Sequence, residues 1–443
     1  MINPLVDRFN GIAEKQYIIY KTTVIPDQLN GLEGCSVGGA TGNLAAQLNK
    51  VYVPNNFAIE FIQEMVESST RHCLDKYSSQ VDYNKSIFHP GESEVFPIVL
   101  TGLAGVGKSA LINALKKVLP GPIAFTPDIS SQELHLLSYW VASGRGKPTL
   151  KQLLNDLIET GTPGGIKSST VAQLLKSARS YAGKVGLPLI LFDEVQHVTQ
   201  SEATAQTISI LLSLSKIGVP MVYISNYSLQ HKFLLRNAEE RHRLMANPRV
   251  MEPDMPNSGD WRAYVEACAQ VLGPYLNVNA AGIAQELYEK TFGLKRLVVQ
   301  LFALAYTVAR RSGRHEIEFA DFDRAFLSAG YTDARNEVLI LQRQLAERKC
   351  GRSDLWCPYI GPRSPNADDV TFARRVADDR LAKTAFESAL TPQEKKELEV
   401  ARAEIESHAV EMKPAKKPRP ATKRTYDALK AGYERQPPKG QRG

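Results

Sequence analysis

Two acidic residues follow a short apolar run near the middle of the chain. Residues 187–198 read LPLILFDEVQHV, in which Asp193 and Glu194 come directly after six mostly apolar positions. A short apolar run with polar flanks predicts a buried strand. An unpaired charge in a protein interior costs several kcal/mol, so the two carboxylates need a partner.

A second stretch, residues 94–119, predicts that partner. It reads EVFPIVLTGLAGVGKSALINALKKVL, in which GLAGVGKS stands between an apolar run at Val95–Leu100 and a segment with helical periodicity. Strand, G-x-x-x-x-G-K-S loop and helix in this order are typical of a phosphate-binding loop (P-loop). Its glycines let backbone N–H groups turn toward phosphates, and the helix N-terminus adds a positive dipole end. The predicted nucleotide contacts are Gly102, Ala104, Gly105, Val106, Gly107, Lys108, Ser109 and Ala110.

Together the two stretches predict hydrolysis of ATP with Mg²⁺ as cofactor. We expect Lys108 to contact the β- and γ-phosphates and Ser109 to ligate Mg²⁺. Asp193 is expected to hold the metal, usually through water, and Glu194 to orient and deprotonate the attacking water.

Further positions are predicted from the order of the elements. GVPMVYIS at 218–225 predicts the next strand, and Asn226 directly after it is placed to contact the γ-phosphate and the same water. The arginine-rich segment that follows contains Arg241 and Arg243, either of which could reach the γ-phosphate of a neighbouring subunit. A solvated charged helix face would explain the same arginines.

The elements that must position these residues predict an α/β fold with several parts. Residues 51–255 are expected to form a parallel sheet flanked by helices. Residues 256–330 have helical periodicity and are expected to form a helical lid, with Arg296 of GLKRLV at a helix start facing the nucleotide. We interpret 1–50 as an N-terminal segment or linker, 331–412 as a C-terminal helical extension and 413–443 as a disordered tail.

Charge and cysteine content narrow the class of protein. The 443 residues have a net charge of +7, but residues 413–443 alone carry +8, which leaves −1 for the rest. Such a basic tail is either simply solvated or docks on DNA or an acidic partner. The five cysteines show no disulfide framework, and we see no signal peptide or membrane span, so a reducing cytoplasm is expected.

The ordered motifs resemble an AAA+ ATPase over roughly residues 51–330, including VYVP at Val51, which resembles the entry to that family's nucleotide pocket. DEVQH resembles the DEAQH variant of bacterial transposon-encoded ATPases of the TnsC, TniB and IstB kind. The resemblance implies rings or filaments around duplex DNA that link a target-selector protein to a transposase and disassemble upon hydrolysis. It also implies that Asn226 is the first sensor and Arg296 the second, and that the C-terminal region and tail engage the partners.

The stretch between Lys108 and Asp193 is longer than the resemblance leads us to expect. It contains the basic, turn-rich segments SGRGKPTLKQ and TPGGIKSST. Cations on such loops could contact the DNA backbone without reading its sequence, although solvated loop residues explain them equally well. The candidates are Arg145, Lys147, Lys151 and Lys167.

Other functions stay open at this point. A helicase loader or replication initiator would use the same core, and so would a signalling or defence NTPase that never contacts DNA. A small-molecule kinase is disfavoured, because the acid pair suits attack by water. Hydrolysis is expected to be slow, with ATP acting mainly as an assembly ligand.

Overall fold

The structure is a computed structural model that describes residues 3–127, 133–144, 149–159, 170–193, 203–359 and residue 393. The helices are α1 (Pro4–Asp7), α2 (Lys15–Thr22), α3 (Val37–Leu48), α4 (Asn56–Tyr77), α5 (Gln80–Phe88), α6 (Lys108–Val118), α7 (Leu150–Glu159), α8 (Val171–Lys184), α9 (Ala203–Ser215), α10 (Tyr227–Leu234), α11 (Ala238–Leu244), α12 (Gly259–Leu272), α13 (Ala280–Thr291), α14 (Lys295–Arg311), α15 (Phe319–Leu327) and α16 (Thr332–Glu347). The strands are β1 (Ile98–Gly102), β2 (Ile123–Phe125), β3 (Leu134–Leu136), β4 (Trp140–Ser143), β5 (Ile190–Asp193), β6 (Met221–Asn226) and β7 (Asn247–Met251).

Within the described ranges, the central sheet has five parallel strands in the order β4-β5-β6-β1-β7, which confirms the predicted fold class. A separate antiparallel pair joins β2 and β3. In the central sheet Gly102 lies beside Asn226 on one side and Met251 on the other. All five strands therefore end at one edge, which is where ligands bind in open α/β sheets.

The strands form where the sequence is apolar because both faces of the sheet are covered. On β5 and β6, Leu191, Val222 and Ile224 pack into a cluster that includes the N-terminal helices, α6 and the lid, while Phe192 and Tyr223 face a second cluster with α7, α8 and α9. The first strand begins at Ile98 rather than Val95. Pro97 lacks the N–H that a ladder position needs.

Helices α12, α13, α14 and α15 lie within residues 256–330, the part that we call the lid, and α16 packs on α13 and α15. Among the described residues, no single helix is long and apolar enough to cross a membrane; α13 and α14 pass that test only as a pair bent by 109°.

The glycine-rich part of the N-terminal segment corrects the linker interpretation. Residues 37–48 form α3, whose N-cap Ser36 accepts a bond from the Gly39 N–H at 3.3 Å. Its buried residues Ala40, Leu44 and Leu48 recur every four positions, so they form one apolar stripe against α14. The apolar stripe and the cap outweigh the low helix propensity of glycine.

His72 on α4 provides a pH-dependent contribution to stability. Burial, and then the nearby charge of Lys76, lowers the pKa of His72 from 6.5 to about 4. The unfolded chain therefore binds more protons than the folded chain between these values, so stability falls as pH drops from 6.5 toward 4. We expect His72→Gln to flatten the pH dependence of the free energy of unfolding in this window, by up to about 3 kcal/mol.

Urea unfolding between pH 4.5 and 7 measures this effect, with exposed His89→Gln as the control. An unchanged slope in His72→Gln would show that this histidine is not the titrating group.

Candidate active site

A cavity of about 360 Å³ opens at the carboxyl edge of the sheet. Its walls come from the segment between α3 and α4, the P-loop, β6 and the lid. The lining residues that matter most here are Tyr52, Gly105, Lys108, Ser109, Asn226 and Arg296. The predicted positions Ala104, Gly107 and Ala110 also line the cavity. Gly102 and Val106 belong to the loop but do not line the cavity.

The P-loop has the backbone geometry that its glycines predict. Gly105 and Gly107 have φ values of +85° and +120°, a region that L residues rarely adopt. Gly107 is the N-cap of α6 and provides no side-chain cap, so the first N–H groups of the helix stay available to an anion. A Cβ on Gly102 would lie 2.3 Å from the carbonyl oxygen of Met251, so only glycine fits at the end of β1.

Lys108 is 7% exposed and projects into the loop. Its Nζ donates to the carbonyl oxygens of Gly102 and Leu103, each at 2.8 Å. Burial, and then the nearby charge of Arg296, lowers the pKa of Lys108 from 10.5 to about 7, while Asp193 acts in the opposite direction. Two cations held this close repel each other, and a polyphosphate between them would relieve the repulsion. The residues present therefore fit a nucleotide.

Asp193 and Asn226 end neighbouring strands near the loop. Asp193 is the last residue of β5 and favours the charged form of Lys108, which raises the pKa of that lysine. Asn226 lines the cavity and is the N-cap residue of α10, but its side chain makes no capping hydrogen bond to that helix. Glu194 lies outside the described residues. With Ser109, Asp193 offers hard oxygen ligands of the kind that suit Mg²⁺ beside phosphates.

The start of α14 lies directly on the P-loop. The Arg296 N–H donates to the carbonyl oxygen of Gly105 at 3.2 Å, and a Cβ on Gly105 would lie 2.9 Å from Cβ of Arg296. Arg296 thus brings a second cation to the cavity that Lys108 lines, and its role as a nucleotide sensor stays a prediction.

A buried clamp beside Arg296 was missed by the sequence reasoning. Asp254 accepts from Asn55 Nδ2 at 2.6 Å, and Lys295 Nζ lies 3.4 Å from its second oxygen, an electrostatic contact without hydrogen-bond geometry. The ammonium group of Lys295 also lies 5.2 Å from the ring centroid of Tyr264. The sequence feature that could have indicated these contacts is Lys295, which stands next to Arg296 in GLKRLV.

The two candidate trans-acting arginines lie on α11, away from the cavity. Arg243 pairs with Glu239 at 3.0 Å and Glu94 at 3.4 Å, and Arg241 Nη1 donates to Leu234 O at 3.5 Å. Neither lines the cavity of its own chain, so a role across a subunit boundary stays a prediction. Lys151 is exposed on α7, while Arg145, Lys147, Lys167 and the tail 413–443 lie outside the described residues.

Comparison with protein families identifies the domain that holds most of this site. Residues 97–233 match a family model described as an AAA domain. This part of the chain is therefore similar to an AAA domain. This match includes the P-loop, Asp193, Glu194 and Asn226, while Arg296 comes from the lid beyond it. A comparison with curated proteins finds no match.

Several solved structures resemble the chain distantly. The Aeropyrum pernix ORC2 protein (ADPNP-ADP complexes) is 13% identical, with a TM-score of 0.43 and coverage of 74% of this chain and 88% of that one. The Aeropyrum pernix ORC1 protein in complex with DNA is 15% identical, with a TM-score of 0.37 and coverage of 64% and 68%. The Thermotoga maritima RuvB Holliday junction branch migration motor is 12% identical, with a TM-score of 0.33 and coverage of 65% and 75%. At these TM-scores we draw no functional conclusion from the likeness.

Proposed function

We propose that this protein is an ATP-dependent, DNA-binding regulator of DNA transposition. In this role it assembles with further copies of itself on duplex DNA, links a target-selector protein to a transposase, and hydrolyses ATP slowly to disassemble. The observation that carries the nucleotide part is the convergence of Lys108, Asn226 and Arg296 on one cavity.

Each side chain has a distinct role in this proposal. Lys108 and Arg296 bind the phosphates, and the N-terminus of α6 adds backbone donors. Ser109 and Asp193 would hold Mg²⁺, which when bound neutralises phosphate charge. Glu194 accepts the proton of the attacking water, and Asn226 holds that water near the γ-phosphate.

The DNA and transposition parts rest on the sequence. The tail from 413 to 443 carries a net charge of +8, which suits the DNA backbone or an acidic partner surface. The DEVQH segment and the order of core, lid and C-terminal extension resemble the transposon-encoded ATPases. The partly exposed arginines of α11, Arg241 and Arg243, fit a role at a contact between copies.

Glu194→Gln separates binding from hydrolysis. We expect ATP affinity to stay within about twofold of wild type, because the amide keeps the size of the acid, and turnover to fall at least about 100-fold because the general base is lost. Assemblies on DNA should then persist. A phosphate-release assay and size-exclusion chromatography with a DNA duplex measure both effects, with exposed Glu67→Gln as the matched control.

Normal turnover in Glu194→Gln would show that another group activates the water. ATP-dependent assembly of the wild type that ignores DNA would instead favour a signalling NTPase. Stimulated loading of a replicative helicase, with no effect on insertion by a transposase, would favour the initiator function.

A further inference from the structure

A segment after the last lid-side helix reaches back to the AAA domain. We call residues 351–359 the C-terminal strap. One end is held by Gln344 of α16, which is 4% exposed. Gln344 Oε1 accepts from the N–H groups of Gly351 at 2.8 Å and Arg352 at 2.7 Å, and its Nε2 donates to Leu355 O at 3.1 Å.

The other end of the strap is bonded to α10, the helix that follows Asn226. A ring nitrogen of His231 lies 2.9 Å from the carbonyl oxygen of Trp356. The hydroxyl of Tyr359 donates to Oε1 of Gln230. The strap therefore joins α16 to α10 by hydrogen bonds at both of its ends.

Gln230 continues this connection into the sheet. It is fully buried, and its Nε2 donates to Oγ of Ser225 at 2.6 Å. Ser225 is the residue before Asn226 and lies beside Thr101, one residue before the P-loop begins at Gly102. A buried polar group without a partner is costly, so Gln230 has little freedom to move away from Ser225 and Tyr359 together.

We propose that Gln230 and Tyr359 are positioning residues for ATP hydrolysis. They hold the Ser225–Asn226 end of β6 in register with the P-loop. Because the strap is bonded to α16, a movement of α16 would change this register. The inference rests on the proposed ATPase function of the same site. Through the strap, a partner that engages the C-terminal region would alter the turnover rate without touching the nucleotide.

The chemistry of Tyr359 suits a fixed donor. Burial, and then the neighbouring Tyr223, raises the pKa of Tyr359 well above its ordinary value of 10.0, so the hydroxyl keeps its proton at neutral pH. Tyr223 itself donates to Leu244 O at 2.8 Å, which ties the same strand to the arginine-bearing helix α11. Strand β6 is thus bonded to both α10 and α11 near its end.

Tyr359→Phe in the full-length protein removes one hydroxyl and tests the inference. We expect kcat for ATP to fall about three- to tenfold, the equivalent of one lost hydrogen bond, with KM within about twofold. Gln230→Met should lower kcat at least as much, and the double variant should be no slower than Gln230→Met, because both changes interrupt one connection.

Tyr83→Phe is the matched control. The Tyr83 hydroxyl donates to Lys184 O at 2.8 Å from a buried ring on α5, and this bond does not involve α10. Its kcat should equal that of wild type. An equal loss in Tyr83→Phe, or an unchanged kcat in Tyr359→Phe, would overturn the inference.

Amide hydrogen exchange separates this inference from the proposed function. Exchange in residues 353–359 should be slower with a slowly hydrolysed ATP analogue than with ADP, and Tyr359→Phe should remove the difference. If the wild type binds the analogue but never hydrolyses ATP, the proposed ATPase activity is wrong, while this exchange difference still supports the connection. Equal exchange rates with the two nucleotides would contradict the inference that the strap is connected to the nucleotide site.

Discussion

Replacing Lys108 with alanine is expected to abolish nucleotide binding and every assembly that depends on it. Charge-assisted hydrogen bonds contribute about 1.5–3 kcal/mol each, and Lys108 is expected to exchange its bonds to the Gly102 and Leu103 carbonyls for bonds to two phosphates, so the Kd for ATP should rise at least about 100-fold. Titration with a fluorescent ATP analogue measures this loss, and size-exclusion chromatography measures the accompanying loss of ATP-dependent oligomers.

The exposed Lys117→Ala on the same helix is the matched control, since it removes one positive charge without touching the cavity. It should bind ATP like the wild type. Tight ATP binding by a folded Lys108→Ala protein would show that the phosphates lie elsewhere. Thermal unfolding without nucleotide separates that outcome from a folding defect.

Gly105→Ala is expected to have the second largest effect, because it strains the loop and displaces the lid at once. The residue has φ +85°, where an L side chain costs about 1–2 kcal/mol. The new methyl group would also lie 2.9 Å from Cβ of Arg296, so the lid must move away from the loop. We expect ATP affinity to fall at least about tenfold, since a phosphate contact worth about 1.4 kcal/mol or more is lost.

Gly313→Ala separates the effect of displacing the lid from the effect of backbone strain. Gly313 has φ +75°, close to that of Gly105, but a Cβ there meets no atom within 4 Å. Both variants should lose similar stability in urea unfolding, and only Gly105→Ala should lose ATP affinity. Equal ATP affinities in the two variants would contradict a role for the contact between the P-loop and the lid.

The parts of the site that could be predicted are those whose chemistry is local in sequence. GLAGVGKS is read from eight consecutive residues, because the turn, the cation and the helix start must be adjacent to surround a phosphate. The strand before Asp193 and the strand before Asn226 follow from short apolar runs, and the parallel sheet then places their ends together.

The parts that were missed depend on contacts between distant positions. Asn55 and Asp254 are 199 residues apart, and Gln230 and Tyr359 are 129 residues apart. Asn55, Asp254 and Gln230 look like ordinary surface residues until the fold buries them, and nothing near Tyr359 in the sequence indicates its distant partner. The α3 helix is different, since Ser36 and the four-residue spacing of Ala40, Leu44 and Leu48 were readable, and the glycines obscured them.

The most direct test of the proposed function is negative-stain microscopy of the purified protein with duplex DNA. Samples with a slowly hydrolysed ATP analogue are compared with samples in ADP, and Lys108→Ala is included in both. The proposal predicts rings or filaments on DNA with the ATP analogue alone, and none with Lys108→Ala. Assemblies that form equally in ADP, or that form with the analogue but leave the DNA bare, would contradict it.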